Sequence, residues 1–362
     1  MRRARPAELV LGSVQLGLAY GAANRTGKPS REAALALARR AADGGIGTFD
    51  TARCYGDSEE RLGEAFAGRK AIRAITKLSP LPELPPNAPH EQVCAAVDAS
   101  IAQSLLALQR KHLDCLLLHR ASHMTAFGGA IWKRVVEHWR AGTVKALGVS
   151  VQTPDDWDQL IDVALGTPGI TNVEGLDLYR LRWTAAAMAN GQDYSLMATI
   201  ALQLGYPGEA RTVLEQGIQM GKLSTQGSAN TAFQQARSQA AGDEKMIPAF
   251  AAEAEKSPNG EKLEKLAETY YGYSRFSESE AAVRAAIAKD GMRDPGQAKL
   301  LLAMDLINQN KYQDALATLQ DVPAGSTARF QAVRLWTIFA QHKINEMAAS
   351  APAAPAPATP TQ

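Results

Sequence analysis

The chain has 362 residues, a formal net charge of +2 and three scattered cysteines, Cys54, Cys94 and Cys115. At about 100–200 residues per domain, that length predicts two domains, each able to bury its own core. Mixed, nearly balanced charge argues against a nucleic-acid or membrane partner. The odd cysteine count fits a reducing, cytoplasmic setting rather than a disulfide framework.

The opening "MRRARPAELVLGSV" places basic residues, Arg2 and Arg3 among them, before a short apolar run that lacks a small-residue cleavage site. It reads as a solvated terminus ahead of a first strand rather than as an export signal. No apolar segment approaches the ~20 residues of a membrane helix. From residue 9 to about 175, strand-length apolar runs alternate with helical stretches. The runs are "LVLGSVQLG", "IGTFDTA", "AIRAITKL", "LDCLLLH" and "VKALGVSV". Between them lie "SREAALALARRAADGG", "SEERLGEAFAG", "HEQVCAAVDASIAQSLLAL" and "AIWKRVVEHWRAG". Runs without polar alternation, each followed by an amphipathic helix, predict parallel strands covered by helices. Ser30 is placed to cap the first helix, Gly44–Gly45 to stop it, and Gly142 to end the helix before the fifth run. The proline-rich "PLPELPPNAP" reads as a loop after the third run. A sixth strand is expected to begin at "GITNVEGL".

From about 176 to 347 the pattern is helical. Three segments resemble one another: "ALQLGYPGEARTVLEQGI", "YYGYSRFSESEAAVRAAI" and "LINQNKYQDALATLQ". Aligning Ala210, Ser279 and Ala315 gives spacings of 69 and 36, near twice and once the ~34-residue period of a tetratricopeptide helix pair. This half therefore resembles tetratricopeptide repeats, about four of them, with a degenerate unit at "ANTAFQQARSQAAGDEKMIPAFAAEAEK" and a last helix near 326–346. Such pairs stack into a solenoid with a concave face, an expected site for a protein partner. A plain helical bundle is the alternative. The tail "ASAPAAPAPATPTQ" is expected to be extended.

Ionisable groups close three of the apolar runs. Asp50 ends the second, Lys77 the third and His119 the fourth, and Tyr55 follows Asp50 in a loop. In parallel α/β sheets and barrels, functional sites form at the carboxyl ends of strands, so these four should converge. A free phenol has a pKa near 10, and a neighbouring ammonium lowers it. A carboxylate holds the ammonium, and an imidazole can orient a carbonyl. The set is suited to protonating an oxygen as negative charge grows on it. His119 and His123 are four apart, but they sit at a strand end and in its loop, with no HExxH pattern, so no metal site is expected. Cys54 reads as a loop thiol, and "LGSVQLGLAYG" is not a dinucleotide fingerprint.

With "FDTARCYGDSEERLGEAF", "ITKL", "DCLLLHR" and "GTVKALGVSV" in place, residues 9–174 resemble the aldo-keto reductases. The resemblance implies a (β/α)8 barrel. It also implies Tyr55 as general acid, Lys77 and Asp50 tuning it, and His119 orienting a small-molecule carbonyl substrate. Ser150 and Glu174 are the implied cofactor-binding positions, with hydride from NADPH. "LGSVQLGLAYGAANRTGKPS" resembles a branch associated with sugar substrates. Glu174 departs from the family, which has a glutamine there, and the last two strand–helix units are missing. The expected fold class is thus α/β, a partial barrel of five to six parallel strands (residues 1–174), then an all-α helical-repeat domain (175–347) and a disordered tail (348–362). A barrel short of strands exposes edges. Either another copy or the helical half covers them, or the chain is a recombined one with a damaged reductase half. The function expected is carbonyl reduction, the alternative an interaction scaffold carrying an inert barrel fragment.

Overall fold

The computed structural model describes residues 9–21, 24–69, 71–151 and 153–350. Contacts divide the chain into two units, Met1–Asp156 and Trp157–Gln362, a division that falls before the join expected near residue 175.

Among its described residues the first unit carries five strands, β1 (Val10–Gly12), β2 (Thr48–Asp50), β3 (Arg73–Lys77), β4 (Cys115–Leu118) and β5 (Leu147–Val149). They form one parallel sheet in sequential order. Its helices are α1 (Val14–Gly17), α2 (Arg31–Asp43), α3 (Ser58–Ala65), α4 (His90–Ala107) and α5 (Ala126–Arg140). The strand expected over "LVLGSVQLG" is shorter than its apolar run, because the chain breaks into the single turn of α1 after Ser13. Ser30 caps α2 by accepting the Ala33 N–H at 3.2 Å, and α2 stops at Gly44 and Gly45, the latter at φ +100°. Gly142, at φ +77°, follows α5.

Sequential strand order with every helix on one face is the arrangement of a barrel wall. Phe49, Leu116 and Leu118 point into a single core with Ala34 and Ala38 of α2, Leu62 of α3, Val97 and Ile101 of α4, and Ile131 of α5. Each large apolar side chain so buried contributes about 1.5–3 kcal/mol. The opposite face carries Ile75, Cys115 and Leu117 half-buried and Val10 47% exposed. Among the described residues, β1 pairs only with β2 and β5 only with β4.

The expected sixth strand is a helix. Thr171 accepts the Glu174 N–H, and the Glu174 carboxylate reaches back to the Thr171 N–H at 2.9 Å, a reciprocal cap that starts α7. The helices from α6 onward are α6 (Pro154–Leu165), α7 (Asn172–Thr184), α8 (Gly191–Gln203), α9 (Pro207–Gln219), α10 (Gly227–Lys256), α11 (Glu261–Gly272), α12 (Phe276–Lys289), α13 (Pro295–Asn308), α14 (Tyr312–Gln320) and α15 (Thr327–Ser350). The three similar segments fall at the turns of α8–α9, α11–α12 and α13–α14, with Tyr206, Phe276 and Tyr312 at each turn. The degenerate unit expected between them is instead one long helix, α10, with Pro248 inside it. The last helix continues past the expected boundary to Ser350, and the rest of the Ala/Pro-rich tail lies outside the described residues, as do residues 1–8.

Helix α7 organises the second unit. Nine consecutive residues, Glu174 to Arg182, are buried, so it has no solvent face. Arg180, 1% exposed, donates Nε and Nη2 to the Glu209 carboxylate at 2.8 Å each and Nη2 to Glu268 at 2.8 Å. Its guanidinium also lies 4.5 Å from the Tyr271 ring centre. Asp177, one turn earlier, accepts from the Gln297 amide at 3.0 Å, and its backbone carbonyl accepts the Trp336 indole N–H at 3.2 Å. Removing one partner of such a buried pair costs about 3–5 kcal/mol, because the other charge is left without compensation.

Carboxyls outnumber guanidiniums in this interior. Burial raises the Asp177 carboxyl to about 7 and the Asp305 carboxyl to about 8. Both folded-state values lie above the unfolded one, so their contribution to stability is full in acid and is lost as pH rises through 7–8. We expect the thermal midpoint of the helical unit, followed by circular dichroism, to fall between about pH 5 and pH 8, and Asp305→Asn to flatten that fall. A midpoint that climbs over this interval would contradict the assignment.

Candidate active site

The sequence places a carboxylate, an ammonium and an imidazole at the carboxyl ends of β2, β3 and β4, and the register keeps them on one rim. Asp50 pairs in register with Ile75, and Lys77 with Leu117. Backbone bonding continues past the strands: Thr51 N–H donates to Ile75 O at 2.8 Å, Leu78 N–H to Leu117 O at 2.9 Å, and Ser150 N–H to Leu118 O at 2.9 Å. The residues after each strand are therefore held by the ladder.

Beneath Asp50 runs a chain of buried hydroxyls. Thr51 donates to Ser58 at 3.1 Å, Ser58 to Ser13 at 2.8 Å, and Ser13 to the Asp50 carbonyl at 2.8 Å. It ties β1, β2 and the start of α3 together. Glu59, fully buried, accepts from Thr76 at 2.5 Å and pairs with Arg53, fastening α3 to β3. Burial raises its carboxyl despite these donors. Neither support was singled out in the sequence; the S-E-E that opens α3 is the signal that could have drawn attention to Glu59.

Lys77 is 5% exposed. Its ammonium donates to Asp50 at 2.5 Å and to the Thr51 carbonyl at 2.9 Å. It also lies 4.8 Å from the centre of the Tyr55 ring. Tyr55 is positioned by a tight turn: its N–H donates to Ala52 O at 3.0 Å, and its carbonyl accepts from Ser58 N–H at 3.1 Å. Gly17 and Gly56 make that turn possible. A Cβ on Gly17 would stand 1.9 Å from the Tyr55 carbonyl oxygen, and one on Gly56 would stand 2.3 Å from the Gly17 carbonyl oxygen. The two backbones touch where no side chain fits.

His119 sits edge-on to Tyr55, with ring centres 6.3 Å apart and planes at 79°. The Cys54 sulfur is 3.7 and 3.8 Å from the two imidazole nitrogens, so nearly equal that the thiol lies against the ring rather than in line with either N–H. Burial foremost, then the positive charges of Lys77 and Arg120, hold the His119 pKa below the ordinary histidine range. The imidazole is therefore neutral at pH 7 and keeps one N–H to donate. Burial raises the Cys54 thiol, which keeps it protonated.

The structure thus brings Asp50, Lys77, Tyr55 and His119 together and holds Ser150 at the end of β5 on the same sheet. Glu174, expected to hold a cofactor, belongs to the second unit. Its carboxylate is committed to the α7 cap and to Ser326. An acceptor-only carboxylate cannot in any case make the donor contact of the glutamine amide it replaces. Among the described residues no cluster of three or more metal-ligating side chains occurs.

The depressed His119 pKa has a measurable source. We expect its ring protons to titrate below the usual histidine midpoint in NMR spectra. Lys77→Met should move that midpoint upward, since it removes a positive neighbour and leaves Asp50 unpaired. A midpoint unmoved by the substitution would mean that Lys77 does not act on His119.

The chain is similar to several solved structures over part of its length. A protein of Pseudomonas aeruginosa described as an aldo-keto reductase is 25% identical over 42% of this chain and 58% of its own, with a TM-score of 0.35. The holo form of an aldo-keto reductase from Bacillus halodurans is 21% identical over 43% and 49%, at 0.34. An aldo/keto reductase from Brucella melitensis is 25% identical over 45% and 54%, at 0.31. The chain thus spans about half the length of each of these proteins. The profile of the aldo/keto reductase family matches residues 8–274, well past the residues whose motifs resemble it. A match over that share of the sequence is decisive: the chain belongs to the aldo/keto reductase family.

Proposed function

We propose that the chain is a carbonyl reductase that uses a reduced nicotinamide cofactor, NADPH by preference, on aldehyde, ketone or sugar-type substrates. The observation that carries this reading is the buried Lys77 ammonium, paired to Asp50 and set against the Tyr55 ring. When bound, the cofactor supplies hydride to the carbonyl carbon.

The chain's own residues handle the proton. Tyr55 donates its phenolic hydrogen to the carbonyl oxygen as negative charge builds there. Lys77 stabilises the phenolate left behind, and Asp50 and the Thr51 carbonyl hold the ammonium in place. Neutral His119 donates a hydrogen bond to the same oxygen and orients it. The Ser150 hydroxyl suits the nicotinamide carboxamide, whereas the Glu174 carboxylate does not, so the fit to the cofactor is partial and rests on the reacting end.

A second reading is favoured by the half-exposed inner face of the sheet and by the loss of Glu174 to a helix cap. In it the sheet fragment is inert, and the helical unit, read as tetratricopeptide-like repeats, binds a protein partner. Two measurements separate the readings. Tyr55→Phe should lower carbonyl turnover at least ~100-fold with an unchanged dichroism spectrum; turnover equal to the parent protein refutes the role given to Tyr55. Titration of NADPH, followed by its fluorescence, should saturate in the micromolar range, and no binding up to ~1 mM, weaker than about −4 kcal/mol, supports the inert fragment.

A further inference from the structure

We propose that Cys54 is a positioning residue of the carbonyl site: its sulfur seats the His119 imidazole, so the loop that carries Tyr55 also sets the ring that orients the substrate oxygen. The inference rests on the carbonyl-reductase reading for its chemical meaning. The seat itself is a property of the loop and can be measured without turnover.

A histidine that must offer one N–H in a fixed direction is ordinarily held by a hydrogen bond at its other nitrogen, which also fixes the tautomer. His119 lacks that support. Among the described residues no carboxylate, amide or backbone carbonyl is hydrogen-bonded to either of its nitrogens. Both instead meet Sγ of Cys54, at 3.8 Å from Nδ1 and 3.7 Å from Nε2. A sulfur in the ring plane and equally far from both nitrogens would collide with the carbon between them, so Sγ lies over the ring face. The contact is one of packing, a soft polarisable atom on an aromatic surface. Tyr55 meets the same ring with its plane at 79°. Sulfur and phenol together restrict how the imidazole can turn.

The loop gives the seat its fixed position. The Arg53 N–H donates to the Lys77 carbonyl at 3.2 Å and the Tyr55 N–H to the Ala52 carbonyl at 3.0 Å, so residue 54 stands between two backbone bonds. The Arg53 side chain is anchored in turn by Glu59 and, at 2.9 Å, by Glu60. Cys54 is thereby tied to β3 and α3 while the ring it supports comes from the end of β4. One short segment keeps the proton donor and the histidine seat in register.

The sulfur also covers one face of the imidazole against water. Exclusion of water is the foremost cause of the depressed His119 pKa, ahead of the charges of Lys77 and Arg120, while Asp50 acts in the opposite sense. His123, held below the ordinary histidine range by burial, and the protonated Cys54 thiol add no charge beside the ring at pH 7. A smaller side chain at position 54 therefore admits water and favours the imidazolium.

The test compares Cys54→Ala with Cys54→Val in the full chain, the valine refilling the volume that alanine removes. Cys54 is exposed as a residue, so neither change opens the core. In NMR titrations Cys54→Ala should move the His119 midpoint up, toward the ordinary histidine value, and Cys54→Val should return it to the parent position. With 4-nitrobenzaldehyde, kcat/KM should fall about ten-fold in the alanine variant, as expected for a misplaced orienting group, and recover in the valine variant. A His119 midpoint that Cys54→Ala leaves unmoved, or that valine does not restore, overturns the proposal. So does an active parent whose kcat/KM is unchanged by the alanine. A parent chain that reduces no carbonyl refutes the function proposed above, and the titration alone then decides the seat.

Discussion

A lysine ammonium at 5% exposure can stay charged only if its partners replace the water it has lost. Lys77 meets that requirement with the Asp50 carboxylate and the Thr51 carbonyl, and much of the first unit is arranged to present them. The β2–β3 ladder sets the spacing of the two strands. The hydroxyl chain through Thr51, Ser58 and Ser13 stiffens the turn that follows β2. The Glu59–Arg53 pair fixes α3 against β3. A fault in any of these would reach the tyrosine through the ammonium beside it.

The second unit meets the same requirement with more carboxylates around its cation. There the Arg180 guanidinium stands amid carboxylates of α9, α11 and its own helix. Buried ion pairs of this kind are weak evidence for stability, since apolar replacements often do as well. In α7 the forked guanidinium reaches Glu209, Glu268 and the Tyr271 ring from a single position.

Much of the site was legible because strand-length apolar runs ending on polar residues state their own geometry. Asp50, Lys77 and His119 could be placed on one rim from that pattern, and Tyr55 from its distance to Asp50. The resemblance named the family, and the match over residues 8–274 bears it out. What failed did so for physical reasons. "GITNVEGL" looked like a strand because its apolar content outweighed a T-x-x-E cap that was there to be read. The α10 segment was expected to be a degenerate repeat unit because period counting demanded one there, whereas it is a single helix with Pro248 inside it. The α7 interior was invisible, because its partners lie up to 159 residues away and no local periodicity encodes them.

The contact between Gly17 and Gly56 has a mechanical corollary. With backbone against backbone there is no compressible side chain to absorb movement, so the tyrosine turn and the chain leaving β1 behave as one rigid piece. Displacing the Tyr55 turn would therefore also displace Gly17 at the end of α1. A side chain at either glycine would force the two backbones apart and shift the turn that sets the Tyr55 ring against the Lys77 ammonium.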